Sequence, residues 1–151
     1  LGIAAFGKMA EKISELQTKM SEIEDLRDYL EERILQEIPA VRINGKETPR
    51  LPNTSSLVLE NVDGETLLMS LDLKGFAVST GAACSSGNPE PSPVLLAMGL
   101  DRSEAQSSLR LSLGAYHRKA DVDNLVETMK EVVLRLRGLQ KSSLVGEGGS
   151  L

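Results

Sequence analysis

Tryptophan is absent from this chain, phenylalanine and tyrosine occur twice each, and only 3% of the residues are aromatic. Any core must therefore be built from Leu, Val, Ile, Ala and Met. There is one cysteine and one histidine. A single thiol cannot close an internal disulfide, and one Cys with one His cannot complete a structural zinc site, so no metal site is expected. Such cysteine usage suits a reducing compartment, which gives a cytoplasmic expectation. No apolar run has the length of a membrane span, and Leu1 to Phe6 lack the basic flank of a secretory signal. The formal net charge is -5, and no Lys/Arg cluster lies beside aromatics, which argues against a nucleic-acid surface. A phosphate-binding glycine loop with its Lys-Ser/Thr ending and a serine nucleophile elbow are also missing.

What remains is a globular composition, 40% hydrophobic and 26% charged over 151 residues, enough for one domain with a real core. The chain begins at Leu1 rather than Met, which suggests a processed or excised piece of something longer. Phe6, Ile13, Met20 and Ile34 recur at multiples of seven, with Met9, Leu16, Ile23 and Leu30 offset by three and Arg27 interrupting the first row. This predicts a long amphipathic helix ended by Pro39, with Lys8, Glu11, Lys12, Glu15, Lys19 and Glu22 on its outer face. A helix packed on a sheet is favoured over a coiled coil, because strand patterns follow that need a cover.

Short strands are predicted at 41–43, 56–60, 76–79 and across "SSLRLSLG", where Leu109, Leu111 and Leu113 point one way and Arg110 and Ser112 the other. Helices are predicted over 64–73 with Asp63 as N-cap, from Pro93 to Gly99, in a short turn capped by Ser103, and from Asp121 to Gly138. The resulting class is α+β, a small mixed or antiparallel sheet covered by helices. The tail after Gly138 has little to bury and is expected to be mobile.

Three residues are candidates for chemistry. Cys84 lies in "STGAACSSGNPEPSP", among small residues and three prolines, with no Lys, Arg or His nearby in sequence. A buried structural thiol is the bland reading; a loop of about fifteen residues without regular structure is usually functional or disordered, so an inert and a reactive thiol both stay open. Arg110 sits in mid-strand between Leu109 and Leu111, where a guanidinium costs free energy unless paired. An internal salt bridge and a bidentate clamp for a carboxylate ligand are both open. His117 in "AYHRKAD" reads as a surface histidine.

The segment from "SLVLENVDGE" through "STGAACSSGNPEPSP" to "SSLRLSLG" resembles the C-terminal part of cysteine desulfurases, pyridoxal-phosphate enzymes of the class V aminotransferase family. The resemblance runs from "LGIAAFGKMAEKI" to the last helix near Gly138. It implies that residues 1–138 are the small C-terminal domain, that 1–38 form its long interdomain helix, and that 139–151 are a tail. It implies that Cys84 takes sulfur from L-cysteine, leaving L-alanine and an enzyme persulfide. It also implies that Arg110 holds the substrate carboxylate. A homodimer and a sulfur-accepting or iron–sulfur scaffold partner are further expectations from the family. The family's cofactor lysine lies in a Ser-x-His-Lys motif that this chain lacks; "YHRK" at Tyr116 to Lys119 does not match it. Pyridoxal phosphate is thus expected in the parent enzyme and not on this chain, which alone should be inactive. A selenocysteine lyase, another class V lyase, or a non-catalytic α+β module with a sulfur-carrying or redox-sensing thiol are the alternatives.

Overall fold

The computed structural model of the chain describes residues 13–83 and 90–146. Helix α1 spans Ile13–Glu37, β1 Val41–Ile43, β2 Thr54–Leu59, α2 Gly64–Asp72, β3 Ser79–Thr80, β4 Ala82–Ala83 and β5 Glu90–Pro91. Helices α3 (Pro93–Ala97) and α4 (Arg102–Gln106), strand β6 (Ser108–Ser112) and helix α5 (Lys119–Gly146) complete it. Four strands form an antiparallel sheet in the order β1-β2-β6-β3, and β4 and β5 pair as a separate two-stranded ribbon. The α+β class read from the alternating patterns is the one observed.

Period two explains the two faces of the sheet. Leu57, Leu59, Leu109 and Leu111 point into the main core with Leu67 and Leu71 of α2. On the helical side α1 contributes Leu26, Leu30 and Ile34, and α5 contributes Val122, Val126, Met129, Val132 and Val133. These are i, i+3, i+4 stripes, and burying each such side chain contributes about 1.5–3 kcal/mol. The opposite sheet face is covered only in part. Val58 packs there with Leu95, Leu100 and Ala105 from the α3–α4 segment, and the rest stays open.

Helix α1 lies on the sheet and on α5, as the strand patterns demanded. Tyr29 Oη donates to Asp123 Oδ1 at 2.7 Å, Arg33 bonds the same carboxylate, and Lys130 donates to Glu37 at 3.2 Å. Phe6 and Met9, which opened the two heptad rows, lie outside the described residues. Arg27 does not break the stripe; it is buried in it, and its Nη1 donates to the Leu51 carbonyl at 2.9 Å. Glu31, one turn on, is 3% exposed and accepts from Arg50 Nη1 and Nη2 and from Ser55 Oγ.

Several element boundaries differ from those predicted. Asp63 caps α2 as expected, accepting from the Thr66 amide at 2.8 Å. Helix α4, however, is capped by Asp101 rather than Ser103: Asp101 accepts from the Glu104 amide, and Glu104 returns a bond to the Asp101 amide. This reciprocal capping box places Ser103 inside the first turn. The predicted strand 76–79 is reduced to Ser79–Thr80. The Phe76 amide is taken by the Leu71 carbonyl at the end of α2, where Gly75 turns with φ +89°, so it has no donor for a ladder. Helix α5 runs through Gly138 to Gly146, where the sequence predicted a stop. A glycine costs a helix about 1 kcal/mol, and the Leu, Gln and Lys that follow are good helix formers, so the helix carries on. Residues 147–151 of the predicted tail lie outside the described residues.

Candidate functional site

A groove of about 580 Å³ opens on the uncovered part of the sheet. Its floor is β6 with its two neighbours, and its wall is α3. The register sets what meets there: Arg110 is the pairing partner of Ser56 on β2 and also of Ser79 on β3. Directly paired residues project from the same face, so a row Ser56–Arg110–Ser79 crosses three adjacent strands. All three line the groove.

Arg110 is exposed, and among the described residues its guanidinium has no hydrogen-bond or ion-pair partner. This sets it apart from Arg27, Arg33, Arg42, Arg50 and Arg137, each of which is committed to carboxylates or carbonyls of the chain. The burial cost expected for a mid-strand arginine is not incurred, because the open face leaves the side chain hydrated. Of the two readings left open by the sequence, an internal salt bridge is not observed among the described residues. A planar donor fork on a hydroxyl-bearing floor suits a carboxylate.

Ser56 has a further contact. Its Oγ accepts from Asn44 Nδ2 at 3.1 Å. Asn44 is 5% exposed, and its Oδ1 is buried without a partner. The Ser79 hydroxyl has no partner among the described residues. Neither serine was singled out from the sequence. Neither "TSSLVL" nor "FAVS" alternates polar with apolar residues, and the adjacency of the two serines to Arg110 depends on non-local strand register.

The root of the predicted cysteine loop borders the same groove. The fifteen-residue stretch is not free of regular structure: Ala82 pairs with Pro91 and Ala83 with Glu90. Gly81 is locked beneath this ribbon. Its amide donates to the Ser108 carbonyl at 3.1 Å, and its carbonyl accepts from the Ser92 amide at 2.7 Å. A Cβ at Gly81 would lie 2.3 Å from Leu95 Cδ1 and 2.9 Å from the Ala105 carbonyl oxygen, so only glycine fits. Cys84 itself follows Ala83 in sequence and lies outside the described residues.

His117 is half-buried away from this groove. Its Nδ1 accepts from the Gly114 amide at 2.8 Å, and its ring lies 4.3 Å from that of Tyr116. It closes a turn before α5 and is not brought to Arg110. Among the described residues, the lining of the Arg110 groove contains no lysine, histidine or aromatic residue. It therefore offers no amine for the aldehyde of a pyridoxal cofactor and no ring to stack on it.

Comparison with known proteins fits this arrangement. The family model described as aminotransferase class-V matches residues 1–125. A cysteine desulfurase of Trichormus azollae is 42% identical over 139 residues, 91% of this chain and 35% of that protein. The cysteine desulfurase IscS of Methanosarcina thermophila is 40% identical over 91% of this chain and 34% of its own length. Among solved structures, a NifS-like protein from Rickettsia africae superposes with a TM-score of 0.67 at 32% identity, covering 81% of this chain and 30% of that one. The chain thus spans about a third of the length of the relatives it matches.

Proposed function

From the premise that this chain belongs to the class V aminotransferase family, as part of a cysteine desulfurase, we propose that it is the small C-terminal domain, residues 1–138, which supplies two working groups. Arg110 holds the carboxylate of L-cysteine, and Cys84 accepts its sulfur. The observation that carries this reading is the convergence on one groove of an uncommitted guanidinium and the stapled root of the thiol-bearing segment.

The net chemistry balances with the thiol as acceptor. The carbon–sulfur bond of substrate cysteine breaks, a sulfur–sulfur bond forms at Cys84, and a proton passes to the carbon that lost sulfur, giving alanine and a persulfide. The thiolate is the competent nucleophile. Family members are generally pyridoxal-phosphate enzymes. The residues of this groove do not fit that cofactor, so it would be held by the part of the relatives that this chain does not span. The intact enzyme would act as a homodimer and pass its persulfide sulfur to an acceptor protein.

The test is sulfur release from L-cysteine by the full-length enzyme carrying Cys84→Ser. Alanine and persulfide production should be abolished while cofactor absorbance is retained. Persulfide formation by that variant at the parent rate would overturn the assignment. Incubated with cysteine and added pyridoxal phosphate, the isolated chain should yield no alanine.

A further inference from the structure

We infer that Ser56 and Ser79 are specificity-determining residues of the Arg110 groove, their hydroxyls donating to the substrate carboxylate from either side of the guanidinium. The inference rests on the reading that Arg110 takes a carboxylate and adds the groups that complete that site.

Register supplies the first argument. Ser56 and Ser79 are the two strand partners of Arg110, on the same face, with backbone separations of about 4.5–5.5 Å. A carboxylate has two oxygens and about four lone-pair sites. A guanidinium fork bonded end-on fills two, which leaves one outward lone pair on each oxygen, facing the flanking strands. Where the arginine lies along the groove floor, a short hydroxyl on each of those strands comes within reach of them. A longer side chain would cover the guanidinium, and an apolar one would leave those lone pairs unsatisfied.

Hydrogen-bond polarity supplies the second. Asn44 Nδ2 donates to Ser56 Oγ, which fills an acceptor site of the hydroxyl and leaves its proton to be donated elsewhere. Among the described residues no acceptor takes that proton, and none takes the proton of Ser79. By contrast, Ser55 and Ser108 both line buried positions and both donate within the chain, to Glu31 and to the Glu104 carbonyl. Ser56 and Ser79 thus keep uncommitted protons beside Arg110, where the buried serines Ser55 and Ser108 do not. Asn44 is a positioning residue, holding Ser56 from a site that is itself 5% exposed.

The experiment uses the full-length enzyme with Ser56→Ala, Ser79→Ala and Arg110→Ala, and with Ser112→Ala as a control on the same strand outside the groove. Each groove serine variant should raise KM for cysteine about tenfold with kcat little changed, as loss of one hydrogen bond to a charged group predicts. Inhibition by 3-mercaptopropionate, which has the carboxylate without the amine, should weaken by a similar factor. Inhibition by cysteamine, which has the amine without the carboxylate, should not change. Ser56→Thr and Ser79→Thr, which keep the hydroxyl, should restore binding of both cysteine and 3-mercaptopropionate. If the serine variants leave KM unchanged while Arg110→Ala raises it, this inference fails and the carboxylate reading stands. Equal weakening of both inhibitors by the serine variants would also overturn it, since that marks a structural effect. If Arg110→Ala itself leaves KM and 3-mercaptopropionate inhibition unchanged, the carboxylate reading fails, and the inference falls with it.

Discussion

Among the side chains of this domain, Arg110 is defined by what it does not touch. Its charge is compensated by nothing described in the chain, whereas a structural arginine such as Arg137 spends its donors on the carbonyls of Pro39, Ala40 and Glu60. Burial lowers the affinity of Arg137 for its proton, and the carbonyls around it are its compensation. Gly81 is the opposite case, a residue with no side chain whose surroundings leave room for none. Gly81→Ala should destabilise the protein by about 1–3 kcal/mol, as overpacking in a closed site does. Leu95→Ala should relieve part of that loss in the double variant, because Leu95 Cδ1 is the nearest atom to the intruding methyl. Urea denaturation of the two single variants and the double measures the coupling; strict additivity would mean that the methyl is accommodated elsewhere.

The elements are joined by two polar clusters that periodicity alone does not reveal. Glu31 on α1 is nearly inaccessible and depends on Arg50 and Ser55 for its hydrogen bonds. Hydrogen bonding to Glu31 is the main reason that Arg50 binds its proton more tightly than usual. Arg50→Met should cost about 3–5 kcal/mol by stranding a buried carboxylate, while Glu31→Leu combined with Arg50→Met should recover most of it. Chemical denaturation of Arg50→Met and of the double variant tests this, and equal loss in the two would show that the pair itself is net stabilising. At the α1–α5 contact, Arg33 first and then Lys130 hold the Glu37 carboxyl below its ordinary range by hydrogen bonding. A depressed folded-state value stabilises above the unfolded-state value and is lost as pH falls through the folded one. The stability gap between the parent and Glu37→Gln should therefore be present at about pH 7 and shrink towards about pH 3, read from urea midpoints.

At the scale of the whole molecule, one sheet face is finished and the other is not. Helices α1, α2 and α5 close the first over Leu57, Leu59, Leu109 and Leu111. Truncating Leu30, fully buried in that layer, to Ala should cost about 2–5 kcal/mol, seen as a lower urea midpoint with an unchanged slope. The second face carries the groove, with α3 and α4 covering Val58 but leaving the Ser56–Arg110–Ser79 row open. On the proposed reading, this unfinished face of a chain about a third as long as its relatives is where a further part of the enzyme completes the site. No described helix is long and apolar enough to cross a membrane.

Local chemistry determined much of this domain directly from sequence. Asp63 capping α2, the alternation that turns Arg110 away from Leu109 and Leu111, and the α5 stripe from Val122 to Val133 all depend on residues a few positions apart. Such patterns survive folding because the period of each element is fixed by its own backbone geometry. The tertiary structure decided what depends on pairing between distant segments. It set which strands flank β6, and thus which hydroxyls stand beside Arg110. It stapled the cysteine segment at Gly81 and Ser92 and paired Ala82 and Ala83 with the far side of the loop. It also turned Arg27 from a break in a heptad into a buried partner of Leu51, and set Glu31 one turn on against Arg50 and Ser55. Strand register and side-chain burial are properties of the closed chain, and no short window of sequence contains them.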